Sequence, residues 1–190
     1  MTITGNTISG AQVDNYTLTQ QTGLTQVITA KALTVSGITA ASTTYDGTTV
    51  AKLGGSATFQ TAEAPGPGTT GDGKPYTVDS VSTGGTPAGA LGSKDVGTNN
   101  VTITGVTVTG TDNGNYTATQ QTGLTQEVTP KALTALGTLS VPPSKVYDGT
   151  TNAEVSGEAA LQDAEAAGAG NTGDGKPYTC LLYTSDAADE

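Results

Sequence analysis

The chain repeats itself at an interval of about 100 residues, and this period limits the architectures open to it. From Thr2 to Thr34, 22 of 33 positions carry the same residue 100 positions later. The offset becomes 102 by the two YDGTT segments, which begin at Tyr45 and Tyr147. Solenoid repeats span about 20 to 50 residues because each is one supersecondary unit, whereas about 100 residues make a whole domain. The period therefore predicts modules in tandem, each with its own core.

Alignment of the copies predicts one complete module, at residues 31–130. Residues 1–30 align with the end of that module, and we expect them to be the C-terminal part of a truncated preceding repeat. Residues 131–179 align with its beginning and are expected to be the N-terminal half of a truncated following repeat. The first partners of a module in such an array are the neighbouring repeats of the same chain.

Residues 180–190, which read CLLYTSDAADE, break the repeat. They follow GDGKPYT, a segment shared with residues 71–77, and they contain the only cysteine, Cys180. A back-translation of this peptide resembles the transposon-end adapter used in sequencing libraries. We therefore expect residues 180–190 to be adapter-encoded rather than native, and Cys180 to be neither a redox site nor a metal site.

The composition of the chain favours strands. Threonine fills 39 positions and glycine 27, and no long stretch has the helical spacing of apolar residues. Threonine and valine fit a pleated surface because their side chains branch at Cβ. Short runs separated by turns predict about seven strands in the complete module. We expect an all-β fold of tandem Ig-like β-sandwich modules, with a β-grasp-like module as the alternative. The period disfavours a continuous parallel β-helix.

Particular segments of the complete module set further expectations. Gly105 lies at a phase break in the clearest strand, residues 100–110, where a β-bulge would restore the register. Segments 61–75 and 163–177 lack apolar anchors and are predicted to be long, exposed, mobile acidic loops. Other strands are predicted at residues 32–37, 56–59, 75–82, 115–120 and 124–130.

The tyrosine of each YDG segment is predicted to be structural. Asp-Gly is a strong turn signal, and a tyrosine beside a tight turn packs its ring and directs its hydroxyl to a backbone group. Six of the seven tyrosines also pair across the repeat. We assign a structural role to both YDG turns and to an Asn-Tyr pair: Tyr45, Asp46, Gly47, Tyr147, Asp148, Gly149, Asn115 and Tyr116.

One segment is a weak candidate for a calcium site. Asp112, Asn113 and Asn115 place side-chain oxygens close together in sequence. Calcium takes about six to eight oxygen ligands, so three candidates fall short. The first copy has Gln12 where the second has the aspartate. We therefore expect an Asx-rich turn, no metal site and no cofactor.

The residue types that are absent exclude several functions. The chain has no His, and hence no His-based catalytic triad or His metal site. It has no Arg and a net charge of −10, which disfavours binding to nucleic acid or to anionic membrane surfaces. No apolar run approaches the roughly 20 residues of a membrane-spanning helix, so we expect no direct membrane insertion. We do not expect an enzyme.

Three segments together resemble a known repeat family. They are TTYDGTT at 43–49, LGSKDVGTNNVTITGVTVTGTDNGNYTATQ at 91–120 and TPKALT at 129–134. The combination resembles the YDG-type repeat of filamentous-haemagglutinin-like bacterial surface adhesins. The resemblance implies a secreted, outer-membrane-associated stalk or spacer that displays a distal binding region, without catalytic residues. The alternative is a repeat that itself binds a host or matrix glycan or protein.

Overall fold

A computed structural model describes residues 3–66, 69–168 and 171–179 of the protein. The segment predicted to be adapter-encoded, residues 180–190, lies outside the described residues. Secondary structure in the described residues consists of β-strands and two short 3-10 turns. The predicted all-β class is therefore confirmed.

Seven strands lie between residues 31 and 130, the number expected from the sequence. They are β1 (Lys31–Ala40), β2 (Thr43–Thr44), β3 (Leu53–Phe59), β4 (Ser82–Leu91), β5 (Gly97–Thr109), β6 (Tyr116–Thr119) and β7 (Thr125–Thr129). Two short strands follow, β8 (Ala135–Gly137) and β9 (Ala159–Leu161). The 3-10 turns are Val13–Asn15 and Asn113–Asn115.

The seven strands form two sheets, in the orders β3-β1-β6 and β2-β7-β5-β4. Neighbours are antiparallel except for two pairs, because β1 runs parallel to β6 and β2 runs parallel to β7. The apolar faces of the two sheets supply one core. Its buried members are Val35, Ile38, Ala51, Leu91, Val101, Ile103, Val106 and Val128.

Glycine bulges keep the apolar side chains of the long strands on the core side. The β4–β5 register shifts opposite Gly105, whose φ is +86°, so the predicted β-bulge is confirmed. The carbonyl oxygen of Thr86 occupies the space that a Cβ at Gly105 would need. Only glycine adopts this φ readily and leaves that space open. The side chains of Ile103 and Val106, on either side of the bulge, therefore lie in the same core.

Two adjacent glutamines between β6 and β7 join both sheets at their bulges. The amide of Gln121 pairs with the backbone of Ile38 in β1, accepting from its N–H at 2.9 Å and donating to its carbonyl at 2.8 Å. The amide of Gln120 pairs with Val106 in β5 in the same way, at 3.2 and 2.8 Å. Backbone groups that the bulges leave unpaired in the ladders are thereby satisfied.

The prediction of a strand at residues 75–82 is wrong. The N–H of Tyr76 donates to the hydroxyl of Tyr116 at 3.1 Å, and the N–H of Thr77 donates to the carbonyl of Glu63 at 2.8 Å. Val78 is exposed. Because these groups bond to other segments, residues 75–81 turn instead of joining a sheet, and β4 begins only at Ser82.

The sequence analysis did not find strand β4, because glycine and proline are common in its segment STGGTPAGAL. Packing accounts for part of this composition. A Cβ at Gly89 would lie 2.8 Å from Cβ of Ala51 and 2.9 Å from Cδ2 of Leu53. Pro87 lies at the register shift, where a strand tolerates a missing N–H donor.

Several apolar side chains outside residues 31–130 are far more exposed than their counterparts inside. Leu33 is 0% exposed, whereas its counterpart Leu133 is 41% exposed. Tyr116 is 5% exposed, and its counterpart Tyr16 is 69% exposed. In the described residues 3–30 the only regular element is the 3-10 turn. A half-repeat therefore lacks the opposite sheet that would cover its apolar side chains.

Candidate functional site

A buried lysine stands at the start of β1. The side chain of Lys31 is 7% exposed, and its Nζ lies 2.9 Å from Oε1 of Glu63 and 2.9 Å from Oδ1 of Asp72. The ammonium also lies 4.1 Å from the ring centroid of Tyr76, a cation–π distance. We call these four residues the lysine clamp. Within the described part of the complete module, Lys31 is the buried charged residue, and its two carboxylate partners are partly exposed.

The clamp fastens the acidic loop that follows β3. The N–H of Glu63 donates to the carbonyl of Pro75 at 2.9 Å, which closes the base of the loop. The N–H of Thr34 in β1 donates to the carbonyl of Gly73 at 2.9 Å. The prediction of a long exposed loop over residues 61–75 is therefore wrong at both of its ends. Their carboxylates have a buried partner on β1, which the sequence spacing did not reveal.

Opposing effects set the charge states of the clamp. Burial of Lys31 lowers the pKa of its ammonium, but the hydrogen bonds that the ammonium donates to Glu63 and Asp72, with the charges of these carboxylates, outweigh burial and raise that pKa above its ordinary range. Burial raises the pKa of Asp72, but the hydrogen bond from Lys31 and the backbone N–H of Lys74 lower it to about 2. At neutral pH the ammonium of Lys31 and the carboxylate of Asp72 are therefore both ionised.

Tyr116 links the clamp to β6. Its hydroxyl accepts from the N–H of Tyr76 and donates to the carboxylate of Asp79. Burial and the neighbouring Asp79 raise the pKa of Tyr116, so its hydroxyl stays protonated. Tyr116 thus holds the far side of the loop against the sheet, and Asn115, its predicted partner, ends the 3-10 turn just before it.

The calcium candidate is arranged as a turn. The carboxylate of Asp112 accepts from the N–H of Ser80 at 2.8 Å and from the hydroxyl of Thr111 at 3.1 Å. Asn113 and Asn115 are exposed in the 3-10 turn. Among the described residues no group of three or more His, Cys, Asp or Glu could hold a metal ion. The hydrogen bond from Ser80 therefore connects the turn at Asp112 to the segment that leads into β4.

The lysine clamp recurs in the following half-repeat. Nζ of Lys131 lies 2.7 Å from Oε1 of Glu165, 3.1 Å from Oδ1 of Asp174 and 4.1 Å from the ring centroid of Tyr178. Hydrogen bonds to the two carboxylates again outweigh burial and raise the pKa of Lys131. The loop over 163–177 is therefore fastened in the same way, and the exposed-loop prediction is wrong at its ends too.

Both YDG turns have the same local geometry. In the first, Oδ1 of Asp46 accepts from the N–H of Thr48 at 2.9 Å and from its hydroxyl at 2.8 Å. In the second, Asp148 accepts from the N–H of Thr150 at 2.9 Å and from its hydroxyl at 3.0 Å. These are Asx turns, in which the side chain replaces a backbone acceptor.

The surroundings of the two YDG turns differ. The N–H of Tyr45 donates to the carbonyl of Thr129 at 2.8 Å, and the Tyr45 ring packs against the core. Tyr147 is 91% exposed, because its half-repeat has no counterpart of β5 and β7 within the described residues. The first YDG turn therefore lies beside the end of β7, where the chain leaves the complete module.

Comparison with protein families assigns the complete module to a family. A family model described as the YDG domain matches residues 29–123. The chain belongs to the YDG domain family. The match begins just before β1 and ends just after Gln120 and Gln121, so it omits β7. Because β7 lies between β2 and β5 in its sheet, the folded unit extends to about residue 130. Searches of curated proteins and of solved structures each returned no match.

The charged groups of the lysine clamp are paired with one another. A lysine that acts as a nucleophile or base needs a lowered pKa, whereas the pKa of Lys31 is raised. The carboxylates of its clamp are committed to the ammonium. In the described part of the chain no helix has the length and hydropathy of a membrane span.

Proposed function

We propose that this chain belongs to the stalk of a large secreted or surface-anchored bacterial adhesin, in which YDG domains act as spacers that display a distal binding region. The observation that carries the proposal is the position of the two ends of the complete module. Its chain enters at Lys31, beside Tyr116, and leaves at Thr129, beside Thr44. The strands β1 and β2 separate these points.

Entry and exit at opposite ends make a module that extends an array. Residues 31–44 run parallel to residues 116–129, with Lys31 paired to Tyr116 at one end and Thr44 paired to Thr129 at the other. A strand rises about 3.3 Å per residue, so we propose that each repeat adds roughly 30–45 Å. The next lysine clamp begins at Lys131, immediately beyond the exit. An array of such modules lengthens with each copy, as a stalk requires.

The Ig-like sandwich is our proposal for the module. Two sheets of three and four strands enclose one apolar core, as in that fold. A β-grasp module packs its sheet on a helix, and the described residues contain no α-helix. The division into repeats at 1–30, 31–130 and 131–179 is supported by the exposed side chains of the two partial copies.

Charge and chemistry support a spacer over a nucleic-acid-binding or catalytic domain. The net charge of −10 and the lack of Arg oppose contact with phosphates. The raised pKa values of Lys31 and Lys131 and the absence of His leave little for acid–base or nucleophilic catalysis. We propose neighbouring repeats as the main partners of each module and the cell surface as its location.

One observation favours the alternative, direct binding of a host or matrix glycan. A groove of about 250 Å³ is lined by two tyrosines, Tyr45 and Tyr178, and by Val96, Pro130 and Leu133. Aromatic rings in a groove can stack on sugar faces. The two rings, however, already contact each other edge to face at a centroid distance of 5.7 Å.

Binding of the full chain to immobilised glycans and matrix proteins separates the two functions. The spacer proposal predicts no saturable signal above that of a surface coated with an unrelated acidic protein. Saturable binding that Tyr45→Ala abolishes and Lys52→Ala leaves intact would establish the glycan-binding alternative. Lys52 is an exposed residue outside the groove, so its variant controls for the loss of a large side chain elsewhere on the module.

A further inference from the structure

The first YDG turn contacts the clamp loop of the following repeat. The N–H of Gly168 donates to the carbonyl of Asp46 at 2.7 Å, across the boundary between the repeats. The ring of Tyr45 meets the ring of Tyr178 edge to face, at 5.7 Å and 61°. One hydrogen bond and one aromatic pair therefore join the exit end of one module to the entry end of the next.

The third residue of the YDG turn fits this contact only as glycine. A Cβ at Gly47 would lie 2.7 Å from Cβ of Ala167, in the clamp loop of the next repeat. In the second turn, Gly149 has the same left-handed backbone, with φ of +79° against +77°, but nothing lies within 4 Å of its Cβ position. The two glycines thus share one backbone requirement and differ in whether a neighbouring repeat is present.

The receiving surface exists on the complete module as well. Its cavity beside the clamp is lined by Ala30, Lys31 and Tyr76. The counterparts of these three residues, Pro130, Lys131 and Tyr178, line the groove that Tyr45 enters. Among the described residues nothing lies within 4 Å of the Cβ position of Gly66, the counterpart of Gly168.

We infer that the YDG turn is the joint of the array: each turn docks on the lysine clamp and loop of the next repeat and fixes the angle between the two modules. The occupant of the surface at Lys31 and Tyr76 is then the YDG turn of a preceding repeat. The clamp has two roles, because the charges that fasten the loop also set the tyrosine ring that receives the turn. The inference deepens the spacer proposal and rests on it only for the arrangement of a long array.

Amide hydrogen exchange on the full chain tests the joint at one atom. The N–H of Gly168 has an acceptor in the other repeat, whereas the N–H groups of Thr134 and Glu165 have acceptors within their own repeat. We expect Gly47→Ala to reduce protection at Gly168 at least tenfold and to leave Thr134 and Glu165 protected. Gly149→Ala carries the same backbone cost without the collision, and we expect it to leave Gly168 protected.

Ala167→Leu enlarges the residue that faces Gly47 in the next repeat and leaves the YDG turn unchanged. We expect it also to remove the protection of Gly168, so the inference stays testable if Gly47→Ala does not fold. An unprotected Gly168 amide in the natural chain would overturn the joint, as would equal effects of Gly47→Ala and Gly149→Ala. Glycan binding by the chain would defeat the spacer proposal without changing any of these exchange rates.

Discussion

Replacement of Lys31 by methionine tests whether the lysine clamp stabilises the module. Methionine keeps most of the buried volume but removes the ammonium. Two charge-assisted hydrogen bonds of 2.9 Å are lost, together with the cation–π contact at 4.1 Å. Glu63 and Asp72 are left next to each other, with side chains 18% and 29% exposed.

The expected loss of stability follows from this geometry. Removing one partner of a fully buried ion pair costs about 3–5 kcal/mol. Water reaches both carboxylates in part, so we expect the lower end of that range, about 3 kcal/mol. For a unit of about 100 residues, each kcal/mol corresponds to roughly 4–8 °C in Tm, which predicts a fall of about 12–24 °C.

Chemical denaturation of the full chain, followed by circular dichroism, measures the change. The matched control is Lys52→Met, because Lys52 makes only an exposed ion pair with Asp46, at 3.8 Å. We expect the control to cost less than about 0.5 kcal/mol. If Lys31→Met costs no more than Lys52→Met, the clamp does not hold the loop to β1 and the reasoning is refuted.

Three further predictions concern the glutamines, the bulge and acid. Gln121→Ala should cost about 2–3 kcal/mol, because it leaves the N–H and the carbonyl of Ile38 without a hydrogen-bond partner. Gln21→Ala, at the exposed counterpart, should have little effect in the same thermal melt. Gly105→Ala should cost about 2–4 kcal/mol through strain and collision with Thr86. Gly5→Ala, with φ of +89° and open space around it, bears only the strain, in a partial repeat without strands among its described residues, and should barely move the melting curve. Asp72 has a pKa of about 2 in the folded chain against an ordinary 3.8, so its stabilisation is present above pH 4 and is lost as the pH falls to 2; Tm should fall over that window, and the fall should be smaller in Asp72→Asn.

The features that the sequence predicts correctly are those with a local signal. The phase of the apolar residues changes at Gly105, and a bulge is the only way to keep both halves of β5 against one core. The Asp-Gly pair at residue 46 forms the expected turn because the aspartate side chain bonds two residues ahead. Strands β1, β3, β5, β6 and β7 follow from alternation and turn spacing, whereas β4 does not.

The features that sequence analysis missed depend on contacts between distant residues. Lys31 meets Glu63 and Asp72 across 32 and 41 positions, and each of these residues, taken alone, has the features of an exposed charge. One signal was present, since both copies keep the lysine, the two acids and the tyrosine, while Pro65 and Pro67 of the loop are replaced by alanine in the second copy. Gln121 is also kept in both copies, as Gln21, but a polar residue in a connection is ordinarily solvated, so its contact with Ile38 was not predicted.

The length of an array as a function of repeat number tests the central claim most directly. Chains that carry one, two or four copies of residues 31–130, between residues 1–30 and 131–179, are measured by small-angle X-ray scattering. The account predicts that the maximum dimension grows by a constant step of roughly 30–45 Å per copy, the length of a module along β1 and β2. Growth with the square root of copy number, or no growth, would contradict it.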